Sequence, residues 1–324
     1  MRLGIIGCGT IAATYVQALG HLNDAFSVTA LYDVCPEKAE SLGVSGAAVC
    51  PTLEALLQRQ DVDCVVISTP LSTHVAVAEA CLRGKKHVLL EKPAALSVAE
   101  IQRLFELAQE QGVAFHVSFH SSFGVDIEWY LENLGRVDPV FRKENIRTME
   151  CHFYDPYVTD GVMLEDRKPL GGSYIDSGVN ILSVCSRLVP MEGMTLRQHT
   201  TRKTGDGVVY GSETVLEDGC VRIRLHTGWD KDLNHKSTLL GFADTEEAIL
   251  LDHTGQSVWK LGANNEKQLL YQENVLQRMV NQYIIVFRAF AKALESKGDP
   301  LHCQQVVRIH ELLLSVGEDG IGRQ

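Results

Sequence analysis

Gly7-Cys8-Gly9-Thr10-Ile11-Ala12 spells G-x-G-x-x-A. That spacing suits one chemistry, the binding of a pyrophosphate. Gly7 permits a tight turn, Gly9 lets a phosphate approach the backbone, and Ala12 lets a helix pack closely on a strand. The backbone from Cys8 through Thr10 to Ile11 then lies at a helix start, where N–H groups favour an anion. A carboxylate, Asp33, follows ~20–25 residues on, where a ribose 2′-hydroxyl would be held. It would repel a 2′-phosphate, and Val34, Cys35 and Pro36 bring no Arg to compensate. Lys38 is the nearest cation. The cofactor expected is NAD, with NADP left open.

Glu91-Lys92-Pro93 is the second candidate. In an open parallel sheet, ligands sit beyond the carboxyl ends of the strands, and Lys92 stands at such an end. A Lys that is partly desolvated beside a nicotinamide has its pKa lowered, which suits proton transfer. The plain alternative is a surface Lys at a strand end. His116 and His120 look like an i, i+4 metal pair, but on a strand they would be about 13 Å apart at ~3.3 Å per residue. His116 therefore reads as structural, and His120, just past the strand, as a substrate contact. Nine cysteines with no C-x-x-C pair read as buried thiols in a reducing, cytoplasmic setting, and no metal site is expected.

These residues need elements to position them. Residues 3–6, 27–32, 62–68, 87–90 and 113–117 are short apolar runs. Between them lie helical patterns at 10–22, 36–42, 74–82 and 98–109. Strands alternating with helices give a doubly wound parallel sheet. Beyond residue 190 come short β-like runs at 208–211, 220–226, 237–241, 248–251 and 257–261, separated by turn signals. Asp230-Lys231-Asp232 reads as a charged loop. Helical patterns return at 275–294 and 302–316. The 324 residues suggest about two domains. They divide as a Rossmann domain over 1–120 and an α/β domain over 121–324, whose terminal helix could dock back on the first.

A net charge of −11 with no clustered basic surface argues against nucleic acid and anionic membranes. No apolar run approaches the ~18 residues that span a bilayer. The chain starts directly into the glycine motif, so no signal peptide is expected.

The sequence resembles the glucose–fructose oxidoreductase / inositol dehydrogenase / MocA superfamily. The resemblance rests on the G-x-G-x-x-A motif, on Ser68-Thr69-Pro70 followed by His74, on Gly84-Lys85-Lys86-His87-Val88-Leu89-Leu90-Glu91-Lys92-Pro93, and on Gly171-Gly172-Ser173-Tyr174-Ile175-Asp176. It implies a Rossmann domain followed by a large, mostly antiparallel open sheet that commonly buries one face in a dimer or dimer of dimers. It implies that Ser68, Thr69, Pro70, His74, Glu91 and Lys92 line the cofactor, with Lys92 beside nicotinamide and substrate. It also implies a turn at Lys92–Pro93 that can take the cis form.

The chain departs from the superfamily at one place. Many members carry Asp-x-x-x-His after the glycine pair, with His as proton acceptor. Here Asp176 is followed by Asn180, on the same side of one helix turn. An amide is no base at neutral pH. Residues 176–183 are similar to a segment of L-arabinose and D-galactose 1-dehydrogenases. Phe119-His120-Ser121-Ser122-Phe123 resembles another, and Trp229 a substrate-domain Trp. Ser177 and Ser122 replace a Pro and an Arg of that pattern. The resemblance implies that Asp176 and Lys92 share the proton work, either being the acceptor, and that Asn180 orients a sugar. The expected function is hydride transfer between NAD(P) and a hydroxyl of a sugar or polyol, with an aldose 1-dehydrogenase as the finer reading. The alternative is a non-catalytic nucleotide or sugar sensor on the same fold.

Overall fold

Short apolar runs separated by amphipathic stretches build the first half of the chain. A computed structural model describes residues 1–22, 25–159, 162–264 and 266–321. Six parallel strands are β1 (Arg2–Ile6), β2 (Ser27–Tyr32), β3 (Ala48–Val49), β4 (Cys64–Ile67), β5 (His87–Glu91) and β6 (Phe115–Ser118). Their order is β3-β2-β1-β4-β5-β6, the doubly wound arrangement. Helices α1 (Thr10–Leu19), α2 (Pro36–Ser41), α3 (Leu53–Leu57), α4 (His74–Arg83) and α5 (Val98–Gln111) supply the crossovers. Every residue of β4 is buried, as a strand covered on both faces requires.

Two compact units result: residues 1–119 with 279–307, and residues 120–278 with those from 308 on. The second holds α6 (Val125–Glu132), α7 (Leu134–Val137) and an eight-stranded sheet. Its strands are β7 (Ile146–Pro156), β10 (Thr195–Lys203), β11 (Val209–Glu217), β12 (Arg222–Gly228), β13 (Asp230–Phe242), β14 (Ala248–Asp252), β15 (Ser257–Leu261) and β16 (Lys267–Gln272). A two-stranded ribbon, β8 (Val158–Thr159) and β9 (Val162–Met163), follows β7, and α8 (Val179–Leu188) precedes β10. The order is β10-β11-β12-β7-β13-β14-β15-β16. Every neighbouring pair is antiparallel except β12 and β7. The expected fold class is the one found.

The chain closes with α9 (Arg278–Ser296), α10 (Pro300–Leu314) and α11 (Gly317–Ile321). From residue 279, α9 counts with the first unit. Its stripe Tyr283, Val286, Phe287 and Phe290 is fully buried. Tyr283 and Phe287 pack on Tyr15 at ring-centroid distances of 4.5 and 5.5 Å.

Among the described residues, six strands escape the apolar-run pattern: the two-residue β3, β8 and β9, and the longer β7, β10 and β16. β10 and β16 lie at the sheet edges and carry mostly exposed residues. β7 alternates Met149, Cys151, Phe153 and Asp155 on its buried phase, and that phase ends in a carboxylate. The run from Asp230 is strand, not loop: Asp230 pairs with Arg202 at 3.1 Å.

Candidate active site

In the first unit the carboxyl ends of the parallel strands share one edge, and the glycine turn, Asp33, Ser68 and Glu91 follow β1, β2 and β4 or end β5 there. Gly7 has φ +87°, and an added Cβ would lie 2.7 Å from the Ser68 carbonyl oxygen. Only glycine fits that approach of β1 to β4. Ser68 Oγ donates back to the Gly7 carbonyl at 2.8 Å. Gly9, which caps α1, is the opposite case: an added Cβ would meet nothing within 4 Å. The space above its backbone is open to a phosphate, and Thr10 beside it is exposed while Ile11 is half-buried. A dinucleotide therefore fits the residues present, held by the α1 amides and the glycine turn.

Asp33 is half-buried at the end of β2. Its Oδ2 accepts the Cys8 amide at 2.7 Å and its Oδ1 accepts the Cys35 amide at 2.8 Å. Those bonds fix the carboxylate and tie it to the glycine turn. The Cys8 thiol is pushed up to about 11, by burial first and by Asp33 second, so it is no nucleophile.

His74 is buried and bridges two loops, with Nδ1 2.9 Å from the Pro93 carbonyl and Nε2 2.9 Å from the Thr69 carbonyl. Burial lowers its pKa. The Lys92–Pro93 bond is cis. Glu91 is enclosed: its Oε1 accepts the Tyr15 hydroxyl at 2.5 Å and the Tyr283 hydroxyl at 2.8 Å, and its Oε2 accepts the Lys92 amide at 3.1 Å. Burial raises the pKa of that carboxyl. The sequence assigned Glu91 to the cofactor wall; the structure engages its carboxylate with two core tyrosines and the turn that carries Lys92. His116 stacks on His302 with ring centroids 3.7 Å apart, as a structural residue would.

In the second unit, Asp176 sits in a single π turn (Tyr174–Gly178) that runs into α8. Such bulges re-aim side chains and recur at functional sites. Asn180 Nδ2 donates to the Asp176 carbonyl at 3.1 Å, while its Oδ1 is buried without a partner. His120 is buried and opens a 3-10 turn (His120–Phe123) that packs against α8. Trp229 is fully buried with Val158 and Met163, so it is a core residue.

Sequence reasoning missed a buried charged group on the same unit. Lys236 Nζ lies 2.6 Å from Asp155 Oδ1, which also accepts Asn234 Nδ2 at 2.5 Å. Burial lowers the Lys236 pKa, while Asp155 and, more weakly, Asp176 raise it. Tyr157 and Arg278 interact with the same carboxylate: burial and then Asp155 raise the Tyr157 pKa, and burial lowers that of Arg278. A signal existed: Asp155 and Lys236 are charges on the buried phase of period-2 strands. The expected strand began at 237, one residue past Lys236.

This is a dinucleotide-binding α/β fold with a Glu-Lys-Pro turn, its carboxylate enclosed, at the nucleotide edge of its first sheet. Residues 1–119 match the model of the GFO_IDH_MocA oxidoreductase family, NAD-binding Rossmann fold. This unit belongs to the Gfo/Idh/MocA oxidoreductase family, and the cofactor it takes is NAD(P). The chain is 31% identical over 229 residues to dTDP-3,4-didehydro-2,6-dideoxy-alpha-D-glucose 3-reductase of Streptomyces violaceoruber, covering 67% of this chain and 63% of that one. It is 33% identical over 127 residues to myo-inositol 2-dehydrogenase of Thermotoga maritima, covering 38% and 37%. The chain thus spans less than two thirds of either curated relative. In fold it matches the 3-ketoreductase KijD10 of Actinomadura kijaniata, solved with NADP and TDP-benzene, at TM-score 0.79 and 21% identity over 97% of this chain and 95% of that one. UDP-N-acetylglucosamine 3-dehydrogenase of Acidithiobacillus ferrooxidans matches at TM-score 0.80 and 19% identity, over 98% and 96%.

Proposed function

We propose that this protein is an NAD(P)-dependent oxidoreductase acting on a hydroxyl-bearing carbon of a sugar or polyol. The observation that carries the reading is the Glu91–Lys92 turn, whose carboxylate is spent on holding the Lys92 amide at the edge that also carries the glycine turn and Asp33. Nicotinamide, when bound, supplies the hydride acceptor or donor. The chain's own part is to bind, orient and move a proton. The glycine turn and the α1 amides take the pyrophosphate, and Asp33 takes the ribose hydroxyls, which favours NAD over NADP. Lys92 and Asp176 handle the proton of the substrate oxygen. Asn180 offers Oδ1 as an acceptor to a sugar hydroxyl, and His120 serves as a further sugar contact.

The two sequence relatives named above are by name a dTDP-sugar 3-reductase and a myo-inositol 2-dehydrogenase, which supports the sugar or polyol class; oxidation at an anomeric carbon is the finer reading that residues 176–183 support. The nine thiols are all free, which supports a cytoplasmic setting, and no helix among the described residues is long and apolar enough to cross a membrane. We further propose a homodimer through the half-exposed sheet face, where Leu239, Leu250, Trp259 and Leu269 pair across successive strands as one apolar row. A monomer by light scattering at micromolar concentration would refute that assembly.

The test of the activity is NADH appearance at saturating NAD, screened over aldoses, inositols and nucleotide sugars, for the parent chain and Lys92→Met. Turnover that Lys92→Met abolishes while NAD affinity holds supports the reading. Intact NAD binding with no hydride transfer to or from any of these sugars would instead support the sensor, which the replacement of His by Asn180 favours. Full activity in Lys92→Met would overturn the site assignment.

A further inference from the structure

On the half-exposed face of the large sheet, β7 and β12 run parallel with His226 opposite His152 and Arg224 opposite Glu150. Side chains alternate along a strand, so Glu150, His152 and His226 share that face, while Met149, Cys151 and Leu225 in the other phase are buried. His226 Nε2 lies 2.7 Å from Glu150 Oε1, and His152 Nε2 lies 3.8 Å from the same oxygen. The two imidazoles stack with centroids 4.6 Å apart and planes 14° apart. One ligand atom from each of the three residues lies within 4.8 Å of the others.

We propose that Glu150, His152 and His226 form a binding site for a divalent transition-metal ion, zinc being the best match. Zinc takes imidazole nitrogen and carboxylate oxygen at about 2.0–2.2 Å, which sets tetrahedral ligand atoms roughly 3.3–3.5 Å apart. The observed 2.7 and 3.8 Å bracket that spacing. Two imidazoles and one carboxylate suit zinc, cobalt or nickel; calcium and magnesium want all-oxygen shells.

His152 Nδ1 lies 2.8 Å from the Tyr154 hydroxyl. An outer partner of this kind orients a ligating ring and leaves Nε2 to the metal. His226 Nδ1 is 4.0 Å from a Glu213 carboxylate oxygen, beyond hydrogen-bond distance. The side chains are 19 to 34% exposed in the single chain. Arg224, 3.9 Å from the other Glu150 oxygen, is the competing cation. A simple His–Glu ion pair accounts for the 2.7 Å contact but gives no reason for a second imidazole stacked on the first. Asp155 is in the other phase of β7, with Met149, Cys151 and Phe153, so it lies on the opposite face from Glu150 and His152.

The test is zinc titration of chelator-treated full-length protein by calorimetry, with cobalt as the spectroscopic probe. The proposal expects one ion per chain and a cobalt spectrum of tetrahedral nitrogen–oxygen type. His226→Gln or His152→Gln should weaken zinc by on the order of 100-fold, and Tyr154→Phe by about 10-fold, the low end for an outer partner. NAD affinity should not change in any of them. Glu150→Gln is near-isosteric and reads the same loss if a histidine variant fails to fold. Unchanged zinc affinity in Glu150→Gln and His226→Gln would overturn the proposal. So would a thiolate charge-transfer band in the cobalt spectrum, which would place the ion on cysteines, or no zinc binding by the parent chain.

Discussion

Asn180 gives its side-chain N–H to the backbone carbonyl of Asp176, and so keeps its own Oδ1 buried and without a partner. The orientation is set by that carbonyl, because the flipped amide would bring two oxygens together. An unmet buried acceptor costs about 1–3 kcal/mol, and a hydroxyl donor would relieve it. Asn180→Ala should therefore raise KM for the best sugar more than it lowers kcat, and leave stability within about 1 kcal/mol of the parent, because loss of the hydrogen bond is offset by removal of the unmet acceptor. Steady-state kinetics and thermal unfolding of the same variant check both halves. A fall in kcat with unchanged KM would contradict the role.

Asp33 has two duties, and its variants should separate them. Its carboxylate holds the Cys8 and Cys35 amides as well as standing ready for ribose. Asp33→Ser with Val34→Arg should reverse the NAD-over-NADP order by at least about tenfold, or ~1.4 kcal/mol. Asp33→Ala should weaken both cofactors, since the glycine turn loses its anchor. Calorimetry with each cofactor decides; tighter NADP binding by the unmodified chain would refute the preference.

His302 is buried, and its Nε2 accepts the Val117 amide at 3.0 Å, which only the neutral ring can do. Burial lowers its pKa to about 3 from 6.5. The folded value lies below the unfolded one, so the stability is fully present above pH 6.5 and is lost as pH falls through the window from 6.5 to about 3. One such group costs about 2 kcal/mol between pH 6.5 and 5. Urea midpoints at pH 7 and pH 5 should show that loss, and His302→Gln, which retains an acceptor, should flatten it. An equal slope in His302→Gln would exclude His302 as the source.

Asp155 and Lys236 form a buried pair with side chains only 4 and 9% exposed. Asp155→Ala strands the ammonium and should destabilise by about 3–5 kcal/mol, whereas replacing both partners with apolar residues should cost far less. Denaturant unfolding of the single and double variants measures the difference. A single-variant loss under 1 kcal/mol would show that the pair is not desolvated.

The first sheet was legible because its signals are local. Glycine spacing, apolar runs and helical stripes each need only neighbouring residues, and so did the cue that placed Lys92 at a strand end. What the sequence could not show is which distant residues meet. Glu91 takes its donors from Tyr15 and Tyr283, at separations of 76 and 192 residues. The parallel pairing of β12 with β7 puts His226 beside Glu150 across 76 residues, and a one-residue slip of register would turn either strand's side chains to the other face. Asp155 and Lys236 meet across 81 residues by the same kind of pairing. Sequence determined the Rossmann pattern, the glycine turn, Asp33 and the Lys92 motif. Tertiary structure alone decided that Glu91 faces two tyrosines, that Asn180 caps a π turn, and that two histidines and a glutamate share one patch. Strand register and crossover set those contacts, and no local pattern of residue types encodes either.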